Sequence, residues 1–291
     1  MRNLTWALAI AASLGVNTNA QLTKTIDFSE TGGAVTLSYN DAEVTLQPIA
    51  EDDDLIDVHA AIGISDFQSI IVSEGGGTSP YFKRWIGIGK LSSSEPTTSI
   101  ILQGYSGGAH CCATLRVVTP VGGQLKILEF EPIDGEGGSQ FPEDIDGDGN
   151  VDFVRQDDRF RYQFSSGAGS QSPPLIFNIY KGNLVDVTSE PGFVPLWTEY
   201  ASRMRAMCAD RSDPDRNGAC AAYVAASARL GKFATAMKDT EALVTSTEGL
   251  QLPTGCRLPE VEGVCPAGME REFYTFGDAL RWFLKKNGYI S

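Results

Sequence analysis

Ala34-Val35-Thr36-Leu37-Ser38-Tyr39-Asn40-Asp41-Ala42-Glu43-Val44-Thr45-Leu46-Gln47 alternates apolar with polar side chains on either side of an Asn-Asp pair. Strict alternation places one set of side chains on one face of an extended chain. Asn and Asp accept the tight backbone of a two-residue turn, so the stretch predicts a β-hairpin. The same pattern recurs over 68–73, 82–88, 98–103, 112–119 and 124–130, and then over 151–156, 159–164, 174–180 and 183–187. Glycine clusters at 75–77, 122–123 and 135–138 punctuate these runs. Strand follows strand without an intervening helix, which implies antiparallel sheets.

The pattern changes around Pro191. Leu196, Tyr200, Met204 and Met207 recur at helical spacing, and residues 221–237 are alanine-rich. Met269, Phe273, Phe276, Leu280 and Phe283 form a further stripe, and Asn287-Gly288 reads as a helix stop. The expected fold class is therefore α+β: an antiparallel β-rich domain over 21–192, then a small α-helical, disulfide-stapled C-terminal unit over 193–291. A single run near 220–233 has the flavour of a helical-hairpin repeat, but one copy does not make a solenoid.

Met1-Arg2 followed by a short apolar core over 6–16 and a small residue at Ala20 has the form of a secretory signal peptide. The core is too short to span a bilayer, and no later stretch reaches spanning length. The expected mature chain begins near Gln21, is periplasmic or secreted, and has no transmembrane segment. Residues 1–20 contain one charged side chain, Arg2, so cleavage makes the formal net charge of −14 one unit more negative. Such an acidic balance disfavours nucleic acid and anionic membrane surfaces as partners. The chain has six cysteines, an even number that predicts disulfides in an exported protein. Spacing favours Cys208 with Cys220 and Cys256 with Cys265, leaving the adjacent Cys111 and Cys112. Without a C-x-x-C pair, a thioredoxin-like centre or structural zinc site is not expected.

The chemical signal is strongest in Asp144-Ile145-Asp146-Gly147-Asp148-Gly149-Asn150-Val151-Asp152. Alternate carboxylates on a curled loop turn inward onto one hard cation, with Gly149 at the sharp turn. An EF-hand is excluded by Arg155, which stands where the bidentate Glu belongs, and by the strand-like exit. The pattern D-x-D-G-D-G-x-x-D followed by a strand resembles the calcium loops of FG-GAP/VCBS-type proteins. That resemblance covers one blade-like motif. It implies calcium as cofactor, held by Asp144, Asp146, Asp148, Asn150 and Asp152, and a β-rich domain that is propeller-blade-like or sandwich-like. The other acidic run, Glu51 to Asp54 with Asp57, lacks the alternation and the glycine, and reads as a solvated turn.

Gly107-Gly108-Ala109-His110-Cys111-Cys112 is the second unusual segment. It resembles a signature of uncharacterised exported bacterial proteins, which brings no catalytic residues with it. Ser106 lies in a formal G-x-S-x-G match, but the next element is a strand and not the helix a nucleophile elbow requires. A thiol nucleophile beside His110 conflicts with the oxidation expected of exported cysteines. No catalytic residues are assigned, and Tyr105 and His110 are candidate ligand contacts. Two functional classes follow. One is a calcium-binding module with a structural role or a protein or glycan ligand. The other is a secreted hydrolase using carboxylates or His110 between the two units.

Overall fold

The computed structural model describes residues 22–27, 34–52, 55–65, 68, 70–73, 85–95, 97–105, 112–134, 141–244, 252–261 and 263–291. The opening hairpin forms as its alternation demands: β2 (Val35–Tyr39) pairs with β3 (Ala42–Asp52), Tyr39 opposite Ala42, and Asn40 takes a positive φ of 50° at the turn. With β4 (Leu55–Ile64) and β5 (Ile70–Ser73) they make a four-stranded antiparallel sheet in chain order. The acidic run is shorter as a turn than its composition suggests. Glu51 and Asp52 continue β3 and Asp57 lies in β4, while residues 53–54 fall outside the described set. β4 itself is poorly marked in sequence, because His59-Ala60-Ala61 and Gly63 dilute its alternation.

A five-stranded sheet runs β1 (Leu22–Asp27), β6 (Trp85–Gly89), β7 (Ser99–Tyr105), β8 (Ala113–Val121), β9 (Gln124–Glu129). A three-stranded sheet runs β10 (Phe153–Gln156), β11 (Pro174–Tyr180), β12 (Asn183–Asp186). All neighbouring pairs are antiparallel. The expected strand over 159–164 does not form. Asp157 captures the Arg159 backbone N–H with its side chain, a 3-10 turn follows over Asp158–Phe160, and Tyr162 takes a φ of 58°. Local side-chain bonding to the backbone has beaten the alternation here.

Period two explains how the layers stack. In β7, Ile100 and Leu102 join Val44, Ile62, Ile86 and Val118 in a core shared with the four-stranded sheet. Between them Ile101 points the other way, into a second core with Leu115, Val117, Phe153 and Ile179. β11 repeats the device: Phe177 and Ile179 face that second core, while Ile176 faces a third, largest core built with the helices. The hairpin tips of the second and third sheets also meet, through a 2.6 Å bond from Lys126 Nζ to the Gly182 carbonyl.

The helical part comprises α1 (Val194–Ala209), α2 (Arg216–Arg229), α3 (Phe233–Leu243) and α4 (Phe276–Lys286), with a small pair, β13 (Gly255–Cys256) and β14 (Glu270–Arg271), before α4. The stripe proposed from Met269 onward is helical only from Phe276. Met269 precedes β14 and Phe273 follows it. Gly288, at φ 74°, ends α4 as expected. The largest core crosses residue 192 freely: Phe160 and Phe164 pack edge-on against Phe283, and Ile176 and Val187 belong with Trp197, Met204 and Leu280. Among the described residues, no helix is long and apolar enough to cross a membrane.

Disulfides join Cys208 to Cys220 and Cys256 to Cys265, the pairs that spacing favoured. Cys112 is also disulfide-bonded, and Cys111 lies outside the described residues. Cys208 and Cys220 are fully buried between α1 and α2. Their joint replacement by alanine is expected to cost about 2–4 kcal/mol through loss of loop constraint, read as a lower urea midpoint.

Tyr289 donates a 2.8 Å hydrogen bond to the buried Asp157 carboxylate from 132 residues away. Tyr289→Phe keeps the ring against Phe160 but orphans that bond. It should lower stability by about 1.5–3 kcal/mol, the range for hydrogen bonds to charged groups, in equilibrium unfolding. A loss below measurement error would show that the bond is not maintained in solution.

Candidate metal centre

The acidic loop is pinned at both ends. Asp152 N–H donates to the Glu143 carbonyl at 2.9 Å, so the chain leaves beside where it entered. Along its flank, Ser93 N–H donates to Gly149 O at 2.7 Å and Val151 N–H to Leu91 O at 2.8 Å, tying the loop to the β6–β7 connection. Gly147 and Gly149 have φ of 80° and 89°, a region costly for residues with a Cβ. These two reversals curl the loop.

The carboxylates then organise the backbone around themselves. Asp144 accepts from Gly147 N–H (2.8 Å) and Gly149 N–H (3.1 Å). Asp146 accepts from Asp148 N–H at 3.1 Å. Asp152 accepts from Ile145 N–H at 2.8 Å and from Asn178 Nδ2 at 2.7 Å. As a result Asp144, Asp146 and Asp152 each present an oxygen, and those atoms lie within 4.8 Å of one another. Asp148 is outside this group: it accepts from the Asn150 backbone N–H at 2.7 Å and side-chain Nδ2 at 2.8 Å. Of the five residues read from sequence, the structure gathers three carboxylates and pairs the other two with each other.

The electrostatics differ from those of a solvated turn. Asp152 is only 1% exposed. Burial pushes its carboxyl up to about 6, against the pull of the bonds from Ile145 and Asn178. Burial also raises Asp146, helped by the neighbouring Asp148 and Asp144 charges. Charge is thus held in this loop at a cost that a cation would relieve.

Two residues outside the motif shape the site. Asn178, on β11, donates through Nδ2 both to Asp152 and to the Val151 carbonyl, fixing the carboxylate's orientation. Gly192, in the turn just before α1, lies against the Asp146 side chain so closely that a Cβ there would sit 2.8 Å from its Cγ. Neither is visible from the loop's own spacing, since both come from later elements. Tyr105 ends β7 opposite Ala113, and Ser106, His110 and Cys111 lie outside the described residues.

Comparison with known proteins gives three findings. Residues 197–288 match the family model described as the sll0997 C-terminal domain. The chain is 33% identical over 231 residues to the probable thylakoid lumen protein sll0997 of Synechocystis sp., covering 76% of this chain and 65% of that relative. It is 31% identical over 207 residues to the uncharacterized protein y4bJ of Sinorhizobium fredii, covering 68% of this chain and 30% of that relative. The chain thus spans less than two thirds of either relative's length. No solved structure matches it significantly.

The Gly192 contact yields a direct expectation. Gly192→Ala must displace either Asp146 or the turn that opens α1, and overpacking of this kind costs about 1–3 kcal/mol. Thermal unfolding of the variant beside the parent protein measures it, and an unchanged midpoint would show that the Gly192–Asp146 approach is not tight in solution.

Proposed function

We propose that this chain is a calcium-binding module acting outside the cytoplasm, with a structural role or a protein or glycan ligand. The observation that carries the reading is the convergence of Asp144, Asp146 and Asp152 oxygens within 4.8 Å. All the donors are hard oxygens, and no imidazole or thiolate belongs to the group, which favours calcium over zinc or copper. The loop is flexible enough in ligand number to suit calcium better than the strict octahedron of magnesium. Asp148 and Asn150 would complete the set of the FG-GAP/VCBS-type loop that the sequence resembles, Asp148 by exchanging its bonds to Asn150. When bound, calcium would supply charge neutralisation and rigidity, while Asn178 holds Asp152 in its orientation. The compartment is supported by the disulfides and by the relative named as a probable thylakoid lumen protein, since lumen and periplasm are both extracytoplasmic.

Calorimetric titration of chelator-treated protein with calcium should give saturable binding. At a hundredfold excess over Kd the unfolding free energy should rise by about 2.7 kcal/mol. Asp144→Asn/Asp152→Asn should abolish both the heat and the stabilisation while leaving the far-UV spectrum intact. Absence of binding by the parent protein at millimolar calcium would end the proposal.

A further inference from the structure

Two carboxylates outside the acidic loop share one cation. Asp134 lies in the connection that follows β9, and Asp158 opens the 3-10 turn that follows β10. The two residues are in direct contact, the Asp134 backbone N–H donating to Asp158 Oδ2 at 3.2 Å. Arg161, at the end of the turn, reaches both carboxylates, with Nη2 3.2 Å from Asp134 Oδ2 and Nε 3.9 Å from Asp158 Oδ1. The longer of these separations is beyond hydrogen-bond range. Asp134 Oδ1, Asp158 Oδ1 and Arg161 Nε are all shut off from solvent, and none has a hydrogen-bond partner. A buried carboxylate oxygen without a donor is costly, and two of them meet here.

The neighbouring charges leave those oxygens unsatisfied. Arg155 of β10 brings a second positive charge toward Asp158, but its Nη2 donates to the Ala113 and Glu131 carbonyls, at 3.4 and 3.0 Å. Asp157 adds a negative charge from the same turn, already held by Arg159. Burial raises the Asp158 carboxyl above the ordinary range. The Asp134 and Asp157 charges push the same way, against the Asp134 N–H bond and Arg161. A proton is the remaining source of a donor: it cancels one charge and turns an orphaned acceptor into an O–H.

The pair sits on a joint. Ala113 and Ile133 exchange backbone bonds at 2.8 and 3.2 Å, which holds the segment after β9 to the start of β8. Asp134 is the next residue, and Asp158 with Arg161 fastens it to the turn after β10. We propose that Asp134 and Asp158 bind one proton between them and so form a pH-set clamp, which fastens the segment after β9 to the turn after β10 in acid and loosens as the proton leaves. Carboxylates that interact this closely titrate as one unit. Linkage sets the direction. The folded pair keeps its proton to higher pH than the unfolded chain does. Its contribution to stability is therefore complete below the unfolded carboxylate value and is lost as pH rises through the folded one. A salt-bridged aspartate with a depressed value behaves in the opposite sense.

The Asp134 amide reports on Asp158, because it donates to that carboxylate. In the full chain, its proton shift followed by heteronuclear NMR should titrate with a midpoint above that of an ordinary aspartate. Asp158→Asn, a neutral isostere of the protonated form, should abolish this step. Asp134→Asn removes the like charge but keeps the backbone N–H, and should lower the midpoint. Exchange protection of the Ile133 and Asp134 amides, corrected for base catalysis, should drop severalfold through the midpoint in the parent and stay level in Asp158→Asn. Asp152 titrates as well, so stability is compared between proteins: the parent's urea midpoint should fall relative to that of Asp158→Asn as pH rises. An Asp134 amide midpoint at or below the ordinary aspartate value would overturn the inference, and this readout needs no variant. So would a step that survives in Asp158→Asn, a midpoint unmoved by Asp134→Asn, amide protection that does not change through the midpoint, or a constant stability difference across the pH range.

Discussion

Asp157 carries a negative charge in the interior, and the joint between sheet and helices is arranged around it. A buried carboxylate without partners would be severely destabilising. Here both oxygens are taken: Arg159 donates from Nε and Nη2 at 2.6 Å each, and Tyr289 adds its hydroxyl. Arg159 also donates to the Asn287 carbonyl at 3.3 Å, beyond the end of α4. The Arg229 guanidinium of α2 lies over the Tyr289 ring at 4.6 Å. One carboxylate just past β10 thereby fixes the segment that follows α4 and how α4 and α2 close over the third core. The same side chain caps the 3-10 turn, which is why a strand-like sequence over 159–164 is not a strand.

The parts of the fold legible in sequence are those where one local rule acts alone. The β2–β3 hairpin declares both its strands and its turn. The spacing of Leu196, Tyr200, Met204 and Met207 declares α1, and close cysteine spacing declares two bridges. Legibility fails where two rules compete. Strands buried on both faces, such as β7 with Ile100, Ile101 and Leu102 in succession, show that they are strands but not which sheets they join. The apolar stripe after Met269 has helical spacing but crosses a hairpin first, because the Cys256–Cys265 staple and the pairing of Arg257 with Met269 hold that segment extended.

The acidic loop shows the same division. Its carboxylates lie on one short stretch, so spacing alone identifies the group, and the positive φ of Gly147 and Gly149 agrees with the turn that spacing required. Spacing cannot say which oxygens meet. Asp148 spends its carboxylate on Asn150, a short-range bond that a nine-residue pattern does not distinguish from metal ligation. Nor can it find Asn178 and Gly192, which reach the loop only after the three-stranded sheet and the start of α1 have folded against it.

That convergence gives the loop a place in the architecture beyond its own ligands. Asp152 is held by Asn178 of β11, Gly149 and Val151 are bonded to the β6–β7 connection, and Asp146 lies against Gly192 at the entrance to α1. Three layers of the fold therefore meet at a point of concentrated negative charge. Mutual repulsion there works against all three contacts at once, since moving any carboxylate outward pulls on the element that holds it. A divalent cation at this point, as proposed, would turn the repulsion into attraction and tighten the five-stranded sheet, the three-stranded sheet and the first helix together. Such a tie at the meeting of three layers would stabilise the fold more than the same charges on an isolated surface turn, because it opposes the separation of all three at once.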